Sequence, residues 1–296
     1  MKKYIGDYIF IAPFLFIFLI FLAFPVFYAL YLSFYKVTDL YNVFGGLRFV
    51  GLKNYFLLFK DGRFWWSLLM TFYYAVLSIP AGILFSLILA NLLNNRLKGI
   101  TIFRGAFFLP YILDVFVVGI VWTFLYSSPY GIVTQLLLKL GIHTGGLLST
   151  SKTAMPSIVL AMMLKNSGFG MILFLATMQN IPPSLYEAAI IDGAGPLTRF
   201  KNITIPMLKP LILFMVIIGF IGALSAFAEF YAMTGGGPSV VVGGRSLGAT
   251  EVTGLYLYRN FEALKLGYAA AISFVLLIFT LIFSFFSSKI MKEGIG

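Results

Sequence analysis

Residues 8–33 run without a single Asp, Glu, Lys or Arg, and no feature of this chain restricts its fold more. About 20 consecutive apolar residues in a helix span the ~30 Å hydrocarbon core of a bilayer. A run of this length is therefore read as a membrane crossing. It is too long for the apolar core of a signal peptide, and Pro25 is followed by Phe27, Tyr28 and Tyr31 where a cleavage site needs small residues, so it is expected to be a retained first helix.

Comparable runs cover residues 66–93, 102–126, 155–181, 206–233 and 266–287, each bounded by Gly, Pro or charged residues. The fold class expected is an all-α membrane protein with six transmembrane helices, forming a single transmembrane domain over residues 1–296. Composition agrees, since 60% of the residues are hydrophobic and 10% charged, against about 25% charged in a soluble domain. An even number of crossings puts both termini on one side. Lys and Arg divide evenly between the two sides, with Lys2, Lys3, Arg96 and Lys98 among those next to the termini and shorter connections, and this density favours cytoplasmic termini.

Inventory removes most chemistry. The chain has no cysteine and one histidine, His143, which excludes disulfides, thiol nucleophiles and multi-His metal sites. No catalytic residue and no metal site is expected. The net charge of +11 is the juxtamembrane pattern of basic residues flanking apolar spans, and nucleic acid is not an expected partner. Gly243-Gly244-Arg245-Ser246 faintly resembles the end of a phosphate-binding loop, but Arg245 stands where Lys is required and Ser239 where Gly is required. A nucleotide must bind another chain.

Between the fourth and fifth spans, residues 181–206 form a polar segment with internal order. Ser184 with Glu187 three positions later fits a capping box, Leu185, Ala188 and Ala189 make a small apolar face, and Gly193 can end the helix. Pro196 suits the first turn of a second short helix carrying Leu197, Phe200 and Ile203.

This segment resembles the EAA loop of binding-protein-dependent ABC importer permeases. Glu187-Ala188-Ala189 is followed by Gly193 after three residues, Ile203 after nine more, and Ile205-Pro206 where the family usually has Leu-Pro. The resemblance covers practically the whole chain. Phe103-Arg104 with Phe107-Phe108-Leu109-Pro110, Lys165-Asn166, Gln179-Asn180-Ile181-Pro182, Asp192-Gly193-Ala194 and Thr234-Gly235-Gly236-Gly237-Pro238 are similar to the carbohydrate branch of that family.

The resemblance implies a type I importer permease, multi-pass in the bacterial cytoplasmic membrane with both termini cytoplasmic. It also implies a cytoplasmic coupling loop in which Glu187, Ala188, Ala189, Asp192, Gly193, Ile203 and Pro206 dock on an ATPase subunit. Pro206 would begin the fifth span and transmit the push. The implied partners are a second permease subunit, two cytoplasmic ATPase subunits, an extracellular solute-binding protein, a sugar or related polyol and the lipid bilayer. ATP and Mg would be bound by the ATPase subunits, with no cofactor in this chain, which is then no enzyme.

Three ionisable residues stand at membrane depth, Asp114, Lys165 and Glu229. Asp114 and Lys165 either pair with one another, so that neither charge is left uncompensated, or Lys165 contacts substrate. In related permeases substrate is held by the helices before and after the coupling loop. The candidates here are Lys165, Asn166, Ser167 and Phe169 on the first, and Glu229 and Phe230 on the second. On the second, Gly222, Ala226, Glu229 and Phe230 would share one helical face. Sugars need ring faces and amide or carboxylate groups, and this set offers both. The alternative function is an ion- or proton-coupled secondary transporter with Asp114, Lys165 and Glu229 as its relay. The absence of an evident inverted repeat or pair of broken helices weakens it.

Overall fold

A computed structural model describes residues 5–39, 46–94 and 99–293, with side chains described for 10–39, 46–94 and 99–289. Lys2, Lys3, Arg96 and Lys98, used in the charge division, lie outside the described residues. The order is α1 (Ile5–Phe18), a π-helical turn (Leu19–Ala23), α2 (Phe24–Ser33), β1 (Tyr35–Val37), β2 (Leu47–Phe49), α3 (Lys53–Lys60), α4 (Gly62–Leu92), α5 (Ile100–Ile112), α6 (Val115–Tyr126) and α7 (Ile132–Lys139). Then follow α8 (Ser151–Gln179), α9 (Pro183–Ile191), α10 (Pro196–Arg199), a second π-helical turn (Phe200–Thr204), α11 (Ile205–Leu224), α12 (Ala228–Met233), β3 (Ser239–Val242), β4 (Arg245–Gly248), α13 (Thr253–Glu262) and α14 (Leu266–Glu293).

Among the described residues five helical stretches are long and apolar enough to cross a membrane, and the pair α5 and α6 makes a sixth if counted as one crossing. The protein is thus a helical membrane protein. The connections carry two small antiparallel hairpins, β1–β2 and β3–β4, that the apolar runs do not announce.

Two expected straight spans are broken. The third bends by 103° between α5 and α6. Residues 112–115 cannot continue the helix because Leu113 is extended and Asp114 turns its carboxylate back, accepting from the amides of Phe116 at 2.9 Å and Val117 at 3.4 Å. That is an N-cap, which starts a new helix. The fifth breaks after Leu224, where Phe227 leaves helical geometry at φ −149°, and resumes as α12.

Elsewhere a helix expected to start afresh runs through. Pro206 does not begin a span, because the chain is helical from Pro196 to Leu224. Proline lacks an N–H and collides with the carbonyl four residues back. The wide turn before it relieves this, with the Ile205 amide donating five residues back to Phe200. Pro25 is accommodated likewise, the Phe24 amide reaching Leu19.

The chain divides into two compact units, residues 1–65 with 256–279 and residues 66–255 with 280–296. In the first, the buried Asn54 amide donates to the Ser33 carbonyl at 2.8 Å and the Tyr35 carbonyl at 3.1 Å, tying α3 to the end of α2. Gly267 allows the start of α14 to lie against the carbonyls of Tyr35 and Leu32, a space a Cβ would fill. Residues 10–22 are exposed throughout, as a lipid-facing surface requires.

In the second unit α8 is the central helix. Its buried face alternates bulky Met155, Ile158, Met162, Met171 and Phe174 with small Ala154, Ala161, Ser167, Gly168 and Gly170. Small residues let backbones approach where lipid gives no hydrophobic drive to pack. A Cβ on Gly168 would run into the backbone of Phe107 and Phe108 on α5, and one on Gly170 would press on Ser86 of α4.

Candidate functional site

Two arrangements in the second unit can carry function, an exposed two-helix projection and a cavity.

The projection is residues 183–206. α9 starts at Pro183, so Ser184 lies inside its first turn and makes no capping bond, and the capping box expected from Ser184 and Glu187 does not form. The two prolines account for this, since Pro at the first helical position is already set at helical φ. The helix ends as its glycine anticipates. Gly193 takes φ +76°, its amide donates to the Ile190 carbonyl at 3.0 Å, and the Ala194 amide donates to the Ala189 carbonyl at 2.8 Å. These bonds form a Schellman closure.

The return is pinned by a 2.9 Å hydrogen bond between the hydroxyls of Tyr186 and Thr204. Glu187, Ala188, Asp192, Gly193 and Pro206 are exposed, while Ala189 and Ile203 are half-buried. Ile191 and Leu197 at the tip expose 86% and 79% of their surface. A rigid projection with apolar residues at its tip is built to meet another surface.

The cavity, about 290 Å³, lies among α4, α5, α8, α11 and α12. Tyr74, Ser78, Gly82 and Ser86 line it from α4, Tyr111 from α5, Met162, Asn166 and Phe169 from α8, Met215, Gly219 and Gly222 from α11, and Glu229 from α12. Tyr111 and Phe169 stack at 4.9 Å with rings 13° apart. The Asn166 side chain makes no hydrogen bond among the described residues, which leaves its carboxamide for a ligand. Glu229 is 8% exposed and accepts a long, 3.4 Å bond from the Tyr74 hydroxyl.

Of the sequence candidates, Asn166, Phe169 and Glu229 reach this cavity and Lys165, Ser167 and Phe230 do not. Phe230 is fully buried edge-on against Tyr74 at 4.9 Å, so it holds the tyrosine that faces Glu229. The Ser167 hydroxyl is spent on the Leu164 carbonyl of its own helix. The single helical face through Gly222, Ala226, Glu229 and Phe230 does not exist, because the helix is interrupted between Leu224 and Ala228.

Asp114 and Lys165, expected as a pair, make no direct ion-pair contact among the described residues, although the Asp114 charge is near enough to act on Lys165 electrostatically. Lys165 donates to the Tyr111 carbonyl at 3.2 Å, with its ammonium 5.5 Å from the Tyr111 ring centroid, while Asp114 caps α6. Each charge serves one side of the same break. The cation satisfies a carbonyl in the last turn of α5, the anion satisfies amides at the start of α6, and both match the helix dipoles. The bend supplied backbone partners that the sequence could not show.

The α4 residues were missed although a signal exists. Tyr74, Ser78, Gly82 and Ser86 recur every fourth position in an otherwise apolar run, a stripe along one helix face. Tyr111 had no comparable signal, since only the bend directs it to Phe169.

The binding-protein-dependent transport system inner membrane component family matches residues 55–290. The chain belongs to that family. Among relatives of this permease, the probable ABC transporter permease protein YurN of Bacillus subtilis is 36% identical over 97% of this chain and 96% of its own. The trehalose/maltose transport system permease protein MalF of Thermococcus litoralis is 34% identical over 94% and 90%. The sn-glycerol-3-phosphate permease protein UgpA of Yersinia pestis is 35% identical over 92% and 88%. Among solved structures, a bacterial ABC transporter importing the acidic polysaccharide alginate shares the permease's fold, with a TM-score of 0.81 at 21% identity over 99% of this chain and 96% of the other.

Membership decides between importer permease and ion-coupled transporter. The structure itself does not argue against the latter as the sequence did, because two broken helices are present, at residues 113–114 and 225–227.

Proposed function

We propose that this permease is one of two membrane subunits of an ATP-driven importer that moves an uncharged oligosaccharide or related polyol inward across the cytoplasmic membrane. Its partners would be a second permease, two cytoplasmic ATPase subunits that bind ATP and Mg, and an extracellular solute-binding protein. The observation that carries the reading is the exposed projection of α9 and α10, closed by Gly193 and tipped by Ile191 and Leu197.

Relatives named for trehalose/maltose and lactose transport support the substrate class. A fold neighbour solved with an alginate-bound periplasmic protein supports a binding-protein partner. The cavity lining supports neutrality, because Glu229 is its acidic group and no Lys, Arg or His is among the lining residues. At about 290 Å³ the cavity is at the lower end of ligand pockets, as expected of one half completed by a second permease. With the projection cytoplasmic and α5–α6 counted as one crossing, both termini are cytoplasmic.

Glu187, Ala188, Ala189, Asp192, Gly193, Ile203 and Pro206 form the docking element in this reading. Gly193→Val tests it. Its Cβ would meet no atom within 4 Å, so packing survives, but φ +76° is denied to a β-branched residue. The expected outcome in the reconstituted complex is an inserted, folded permease with lost ATPase co-purification and lost binding-protein-stimulated hydrolysis. Wild-type assembly and turnover would remove the docking role.

A further inference from the structure

The first unit holds a second pocket, of about 620 Å³, that the transport reading does not use. Its lining comes from β1, α3, the turn before α4, α13 and the start of α14. Its walls include Tyr35, Leu57 and Tyr256, and its charged lining residues are Lys36, Lys53, Lys265 and Asp61.

Two of the three lysines stand where electrostatics within the chain disfavours them. Lys36 of β1 lies directly opposite Arg48 of β2, a like-charge cross-strand pair. Lys53 is the first residue of α3 and puts a cation at the positive end of that helix, and Lys265 stands between the end of α13 and the start of α14. None of the three ammonium groups has a hydrogen bond or ion pair among the described residues. The local carboxylate is already committed. Asp61 accepts from the hydroxyls of Tyr256 and Tyr268, the latter at 2.7 Å, and from the Arg63 amide at 2.9 Å.

Three exposed cations without a partner among the described residues converge on one pocket with an apolar and aromatic wall, an arrangement that suits an anion touching all three. We propose that this pocket binds a phosphate ester, its oxygens among Lys36, Lys53 and Lys265 and its organic part against Tyr35, Leu57 and Tyr256. Phosphate suits the site because it offers several acceptor oxygens to three separate ammonium groups, and Lys binds it as a point charge. Two sources share this chemistry. One is the headgroup of an anionic glycerophospholipid at the membrane boundary, and the other is a free ester such as glycerol 3-phosphate.

The test uses the full chain in its assembled complex, with Lys36→Gln, Lys53→Gln and Lys265→Gln singly and together, and the triple Lys→Arg variant as the charge-keeping control. In one arm, native mass spectrometry follows phosphatidylglycerol against phosphatidylcholine added to delipidated protein. In the other, equilibrium dialysis follows glycerol 3-phosphate without lipid. Each single Gln variant is expected to weaken binding about fivefold, and the triple about 100-fold, with Arg restoring most of it.

Selective phosphatidylglycerol binding that follows this series assigns the lipid, and glycerol 3-phosphate binding that follows it assigns the free ester. Should the triple Gln variant fail to fold, the three single variants decide by the same criterion. Absence of binding in both arms, or binding indifferent to the lysines, overturns the proposal.

Discussion

Gly168 and Gly193 do opposite jobs in the second unit, and the contrast separates its two functional regions. Gly168, beside the cavity, has an ordinary helical backbone and no room, since a Cβ would enter the backbone of Phe107 and Phe108. Gly193, on the projection, has open space around it and a backbone that only glycine adopts readily. The projection is held by bonds within its own segment, residues 183–206, and the cavity by close approach of helices distant in sequence. Damage should spread accordingly.

The largest expected effect comes from filling the packed site. Gly168→Val should cost about 3 kcal/mol or more, because backbone rather than a flexible side chain must move. The permease should lose its monodisperse elution and thermal transition in detergent, whereas Gly193→Val retains both. Equal stability of the two variants would erase the distinction.

Next comes the break between α5 and α6. Lys165→Met strips the Tyr111 carbonyl of its buried donor and should cost about 2 kcal/mol, while Asp114→Asn keeps a capping side chain and should cost under about 1 kcal/mol. The double variant is expected to show the sum within about 0.5 kcal/mol by denaturant or thermal unfolding. Rescue of Lys165→Met by Asp114→Asn would instead mean that the two charges act as a pair.

A smaller change is expected at the cavity wall. Tyr74→Phe removes one long hydrogen bond to Glu229, worth about 1 kcal/mol. It should raise the KM for transport about fivefold and leave ATPase assembly at wild-type level. An assembly defect would show that cavity and projection are not separable in this way.

The smallest concerns a cluster outside both regions. Burial pushes the Asp61 carboxyl up, but hydrogen bonds from Tyr256, Tyr268 and the Arg63 and Phe64 amides outweigh it and hold it below the usual carboxylate range. A depressed folded value means stabilisation that is full above the unfolded pKa near 3.9 and fades as pH falls through the folded value. Thermal unfolding should therefore show an acid limb below about pH 4, and Asp61→Asn should flatten it. An unchanged limb would place the acid sensitivity elsewhere.

Apolar length was enough to read most of the crossings, and Gly193 with its neighbours was enough to read how the first helix of the projection ends, because both depend largely on local sequence. Asn166, Phe169 and Glu229 were legible as cavity groups. The fourfold spacing of Tyr74, Ser78, Gly82 and Ser86 was legible and went unread, because attention stayed on the two helices flanking the projection.

The sequence by itself determined that this chain crosses a membrane in helices, that a two-helix turn closes on Gly193, and that Asp114, Lys165 and Glu229 are ionisable residues within apolar spans. Only the tertiary structure decided which partners they take. Sequence shows that a charge at membrane depth must be satisfied, but a broken helix offers backbone carbonyls and amides that an intact one hides. Lys165 and Asp114 therefore each make their hydrogen bonds to a helix end.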